Sequence, residues 1–219
     1  LAFFKREVTT GKRSEFRRIE RDAYNTPAVA AEPLLRNLAH ATRFLEPCVG
    51  AGYLVEHLTG AGHVLVGAHD LPDDARSHHY GVEPGALFIS NPPFWGRPFD
   101  LHPLIADLSD QAPTWLLMPG DWLFNRSSAP LMPRLRRIVA VGRARWIPDS
   151  RFTGKDNACW LLFDRPDTRA EIVFIGRESR TRNGRALGTN APTPGFSRDS
   201  VKALPAGLER AAGSEVLAS

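Results

Sequence analysis

Phe44-Leu45-Glu46-Pro47-Cys48-Val49-Gly50-Ala51-Gly52 is the stretch on which the fold turns. Arg43 to Pro47 reads as a short strand that runs into a glycine turn. Leu54, Val55 and Leu58 then line one face of a helix. Gly60-Ala61-Gly62 stops that helix, and His63 to Ala68 forms a second strand that ends at Asp70. Strand, glycine turn, helix and strand in this order predict a parallel pair with a ligand at the turn.

The residue types at the turn narrow the ligand. Glycine lets the backbone approach a molecule that a Cβ would block. Glu46, acidic and at the strand end, can hold an ammonium group. Asp70 lies about twenty residues past the glycines, where doubly wound folds accept the two ribose hydroxyls. A dinucleotide site needs a third glycine, but Val55 stands there, and Glu46 would repel a phosphate. The pattern therefore favours a cationic, phosphate-free adenosine cofactor over NAD. S-adenosylmethionine fits, because its sulfonium and ammonium groups are both positive.

One strand later, Ala86-Leu87-Phe88-Ile89-Ser90 leads into Asn91-Pro92-Pro93-Phe94. The two prolines lack a donor N–H and fix φ, and Pro92 pushes Asn91 toward extended geometry. The Asn91 side-chain oxygen and the Pro92 carbonyl are thereby held close together, with an aromatic face at Phe94. Two acceptors and a stacking plate suit a planar amino group on a base or amide. As a bare tetrapeptide it is equally an Asn-Pro turn that ends a strand.

Asp22-Ala23-Tyr24-Asn25-Thr26-Pro27, the Phe44–Gly52 stretch and Asn91–Phe94 come in the order of a known family. Together they resemble gamma-type adenine-specific N6 DNA methyltransferases, of the class I S-adenosylmethionine-dependent kind. The small phage and prophage members are most similar, and the resemblance covers roughly Tyr24 to Asp164. It implies a Rossmann-like α/β fold, with a mostly parallel sheet covered by helices on both faces. The implied cofactor set is Tyr24, Thr26, Pro27, Glu46, Pro47, Gly50, Gly52, Asp70 and Leu71. The implied catalytic residues are Asn91, Pro92, Pro93 and Phe94. Phe94, Trp95, Arg97, Phe152 and Lys155 would meet the substrate. Phe152 is either a second base-stacking ring or a core anchor, and Trp95 either meets the substrate or packs. The implied reaction is methyl transfer to the exocyclic N6 amino group of adenine in DNA. RNA adenine and protein glutamine remain alternatives, because both present a planar amino group; so does an inactive cofactor- or nucleic-acid-binding subunit.

Two departures stand out. Family members carry an acidic residue that holds the cofactor's adenine ring, and here only Asp73, Asp74 and Glu83 are available for it. Nothing after Asp164 is long or apolar enough for a target-recognition domain.

Composition sets wider bounds. A chain of 219 residues suffices for one α/β domain. We divide it into a basic segment over 1–21, a catalytic domain over 22–177, and a basic, largely disordered tail over 178–219. No apolar stretch approaches the roughly 20 residues of a membrane span, and Leu1–Arg6 has no signal-peptide core. Two cysteines, Cys48 and Cys159, fit a reducing cytoplasm. His78-His79 lacks helical ligand spacing, so no metal is expected. The net charge of +4 permits a polyanionic partner. Basic clusters at Lys5–Arg21, Arg134–Arg145 and Arg177–Arg185 flank the proposed site and turn the expectation toward nucleic acid. The remaining pattern predicts a helix from Thr26-Pro27 to about His40, with Thr26 as N-cap and Pro27 in the first turn. It also predicts a helix over 101–108, a strand over 114–118 and helix over 121–135. Strands are expected at 138–141, 145–147, 158–163 and 171–175, and Trp115, Trp122 and Trp160 in the core.

Overall fold

The computed structural model describes residues 25–69, 79–93, 101–147 and 153–177. Helix α1 (Ala28–Leu35) precedes strand β1 (Arg43–Glu46), helix α2 (Tyr53–Gly60) and strand β2 (Val64–Ala68). Strand β3 (Leu87–Ser90), helix α3 (Leu101–Gln111) and strand β4 (Thr114–Pro119) follow. Strands β5 (Leu135–Gly142), β6 (Ala158–Phe163) and β7 (Val173–Ile175) complete a seven-stranded sheet of order β2-β1-β3-β4-β6-β5-β7. Strands β2, β1, β3 and β4 are parallel, β6 runs antiparallel between β4 and β5, and β7 pairs parallel with β5.

The sheet is buried on both faces because β4 and β6 are apolar at nearly every position. Alternate side chains choose the face. Trp115, Leu117 and Trp160 point to the side where Ala30, Ala31 and Leu34 of α1 meet Leu54 and Leu58 of α2. Leu116, Met118, Leu161 and Phe163 point to the other, against Ile105 of α3, Trp122 and Leu131. The three tryptophans expected in the core are buried. Trp160 also donates its indole Nε1–H to the Ala30 carbonyl at 2.7 Å, which ties α1 to the middle of β6.

Several local expectations need correction. Pro27, not Thr26, is the N-cap of α1, and no side chain caps that end. The helix stops at Leu35 rather than near His40, where the Asn37 amide donates to the Pro33 carbonyl at 2.9 Å and replaces the next helical bond. Residues 121–135 are not α-helical. They form two 3-10 segments, Gly120–Phe124 and Arg126–Arg134, separated by extended Asn125. Pro130 and Pro133 have no N–H for an α-helical ladder, so the tighter turns prevail. Residues 145–147 form no strand. Gly142 at φ +85° turns the chain away, and the Ala144 carbonyl accepts from the Gly154 amide instead. The segments 1–24 and 178–219 lie outside the described residues, so their assignment as basic arm and tail stays an expectation.

Replacing Trp160 by Phe keeps the ring and orphans the buried Ala30 carbonyl. We expect a loss of about 1–3 kcal/mol, read as a lower urea midpoint with an unchanged m value.

Candidate active site

In the parallel part of the sheet the chain leaves β1 toward β2 on one side and later returns to β3 on the other. The strand order reverses between β1 and β3, and the crevice beyond their carboxyl ends is left open there. The glycine turn follows β1 and the Asn91 turn follows β3, so both line this crevice.

Glu46, the last residue of β1, is 1% exposed. Its Oε1 accepts the Cys48 amide at 2.9 Å, and its carbonyl accepts the His69 amide at 2.8 Å. Burial pushes its carboxyl from 4.5 up to about 8, against the opposing pull of Ser90 and the Cys48 N–H. Ser90, at the end of β3, is fully buried and its Oγ completes no hydrogen bond. Its pull on Glu46 is therefore dipolar rather than that of a full bond. No cation among the described residues pairs with Glu46. The Val49 amide donates to the His69 carbonyl at 2.9 Å, which closes the turn against the end of β2. Gly50 at φ +49° and Gly52 at φ +84° adopt backbone that L side chains avoid, and a Cβ on either would project into open space. A buried carboxyl that a cation would ionise, an orphan hydroxyl and a cradle of bare backbone fit the ammonium end of S-adenosylmethionine.

Thr26 closes the crevice from the side of α1. It is 3% exposed, and its Oγ1 accepts from Asn91 Nδ2 at 3.1 Å. Its carbonyl accepts from His57 Nε2 of α2, also at 3.1 Å. Thr26, Pro27, Glu46, Pro47, Gly50, Gly52, Asn91, Pro92 and Pro93 are thus all on elements that meet the crevice. Tyr24, Asp70, Leu71, Phe94, Trp95, Arg97 and Phe152 lie outside the described residues. Lys155 is exposed in the loop before β6. Because β6 is antiparallel, that loop sits at the same sheet edge, held there by the Gly120 amide on the Asn157 carbonyl at 2.7 Å.

This is the class I S-adenosylmethionine-dependent methyltransferase fold. No protein-family model matches the chain, and no curated protein matches it. Solved structures of similar fold include the type I restriction-modification methyltransferase subunit of Streptococcus thermophilus. That match has 13% identity and a TM-score of 0.46, and covers 77% of this chain and 51% of that one. The TehB-like methyltransferase of Corynebacterium glutamicum matches at 14% identity and TM-score 0.37, over 62% of this chain and 86% of that one. The precorrin-6y C5,15-methyltransferase of Geobacter metallireducens matches at 9% identity and TM-score 0.40, over 68% and 94%. Fold likeness at these identities leaves the substrate to the site itself.

Other sequence expectations divide. Glu83 pairs with Arg43 at the opposite, amino edge of the sheet, so it is not the adenine contact. Asp73 and Asp74 lie outside the described residues. The central arginine cluster splits along β5. Arg134 binds Ser109 and Asp110, and Arg136 binds the Pro133, Leu135 and Arg165 carbonyls, all at the amino edge. Arg143 and Arg145, past the other end of β5, are exposed at the site edge. The sequence reading missed Ser90, His57 and Phe124. Phe124 is 85% exposed on the 3-10 segment after β4, an unfavourable place for an isolated aromatic ring. The signal for Ser90 was available: a polar residue closing an apolar strand directly before Asn91. Among the described residues no His, Cys, Asp or Glu group is arranged to hold a metal ion, and no helix is long and apolar enough to cross a membrane.

Glu46 is more basic folded than unfolded, so its contribution to stability is fully present below 4.5 and is lost as pH rises through about 8. In cofactor-free protein, the wild-type unfolding free energy should fall over this interval relative to Glu46→Gln, as followed by urea melts at a series of pH values.

Proposed function

We propose that this chain transfers a methyl group from S-adenosylmethionine to the N6 amino group of adenine in DNA. The observation that carries the reading is the Asn91 amide, anchored on Thr26, beside the Glu46–Gly52 cradle at the sheet's switch point. When bound, the cofactor supplies an electrophilic methyl group on a sulfonium.

Every other role falls to the chain. Glu46 ionises against the ammonium group, Gly50 and Gly52 let the backbone close on the amino-acid end, and Asp70 takes the ribose hydroxyls. Asn91 Oδ1 and the Pro92 carbonyl accept the two hydrogens of the target amine. That draws the nitrogen from planar toward tetrahedral and aims its lone pair at the methyl group. The same oxygens stabilise the positive charge that develops on nitrogen, and the surplus proton leaves to solvent. No strong base is needed, because an amine lone pair makes the attack. Phe94 stacks on the target base, and Phe152 is placed to do so from the loop before β6. Stacking of this kind is worth about 1–3 kcal/mol per base. A base in a duplex must leave the helix to reach the pocket.

Three features favour nucleic acid over protein. The segments 1–21 and 178–219 are basic. Arg143 and Arg145 are exposed at the edge that carries the site, as is Phe124. Thr26-Pro27 ahead of the glycine turn favours DNA over RNA.

Labelled methyl transfer to DNA, RNA and protein, followed by digestion to nucleosides, tests the reading; N6-methyladenine from DNA is the expected product. Label in RNA or in glutamine instead would move the activity to another substrate. Asn91→Ala should lower transfer by about 10²–10³-fold while cofactor affinity stays near wild type. Near neutral pH cofactor binding must displace the Glu46 proton, since the empty site holds that carboxyl up to about 8. Calorimetry in buffers of different ionisation enthalpy should therefore detect proton release, absent in Glu46→Gln.

A further inference from the structure

We propose that Thr26 is a positioning residue for Asn91, and that it acts on the turnover step rather than on cofactor affinity; this rests on the functional reading above. Four observations lead there. The hydroxyl is buried and is not used on its own helix, because Pro27 occupies the N-cap and no side chain caps that end. It accepts instead from Asn91 Nδ2 at 3.1 Å, across 65 residues of chain. The Thr26 backbone is itself held, since its carbonyl accepts from His57 Nε2 at 3.1 Å. His57 belongs to α2, whose N-cap is Gly52 of the cofactor turn.

The chemistry explains why such a clamp is useful. The terminal torsion of an asparagine is broad, and a half-turn exchanges oxygen for NH2. With its nitrogen on Thr26, the amide turns Oδ1 away from Thr26, and an acceptor is what an incoming amine requires. With the amide reversed, two donors would face each other. Thr26 thus selects the productive orientation before substrate arrives. His57 makes the clamp continuous with the helix that opens at the cofactor turn, so the acceptor and the methyl donor are located from one rigid base.

The test compares Thr26→Val, which keeps the shape and removes the hydroxyl, with Thr26→Ser, which keeps the hydroxyl. We expect Thr26→Val to lose about a hundredfold in kcat, the scale of a small misplacement of a reacting group. Its cofactor dissociation constant by calorimetry should stay within about twofold of wild type. Thr26→Ser should recover most of the kcat. In the cofactor-free protein, the two side-chain amide protons of Asn91, followed by nitrogen-15 NMR, should shift and exchange faster in Thr26→Val and not in Thr26→Ser. Weaker cofactor binding with kcat at saturation retained would overturn the proposal and make Thr26 a cofactor ligand. So would unchanged Asn91 amide resonances in Thr26→Val. A wild-type protein that methylates nothing would instead overturn the functional reading, and the NMR comparison would still decide whether Thr26 orients Asn91.

Discussion

The reversal of strand order between β1 and β3 is the constraint from which the site follows. The connection out of β1 runs through α2 on one face of the sheet, and the connection out of β3 runs through α3 on the other. Right-handed crossovers leave no helix over the gap between the two strands. Two turns are therefore thrust side by side into an open crevice. One offers bare backbone and a buried carboxyl, and the other offers a constrained amide. Neither arrangement serves packing, and both serve a ligand.

The local energetics agree with that division. Phe44, Ile89, Trp115, Leu117 and Trp160 make a dry core under α1 and α2, and Leu116, Met118, Leu161 and Phe163 make another beneath α3. Against this stable base the site carries unfavourable features close together: a neutralised Glu46, an orphan Ser90 hydroxyl, and glycines at positive φ. Strain and unsatisfied polar groups concentrate where a partner is expected to relieve them. A carboxyl with a raised pKa is suited to receive a cation, because binding restores the charge that burial suppressed. This also separates the site from a phosphate-binding turn, which would present N–H groups without a carboxyl.

The antiparallel strand β6 has a functional consequence beyond closing the sheet. It returns the loop before Ala158 to the carboxyl edge, beside the turn after β4, where the Gly120–Asn157 bond holds it. Lys155 and the exposed Phe124 come to the same edge as Asn91, though each is remote from it in sequence. Arg143 and Arg145 join them because they follow β5, while Arg134 and Arg136 precede it and are occupied by structural bonds. A sequence cluster of like charges was thus cut in two by a single strand of eight residues.

What the sequence determined by itself was local and periodic. The runs 158–163 and 114–118 read as strands because every side chain was apolar. The turn glycines and the Asn91-Pro92-Pro93 corner were legible because backbone chemistry restricts what such residues can do. The 3-10 segments were not legible, because Trp122, Leu123 and Leu131 imitate a helical face while Pro130 and Pro133 forbid the ladder. Thr26 was read as a helix cap because that is the local use of a threonine before proline. Only tertiary structure decided otherwise, by bringing Asn91 within bonding distance and leaving the cap position to Pro27. The same holds for Glu46: its side chain is legible as acidic, but its protonation depends on burial beneath β3, and burial is a property of the assembled sheet.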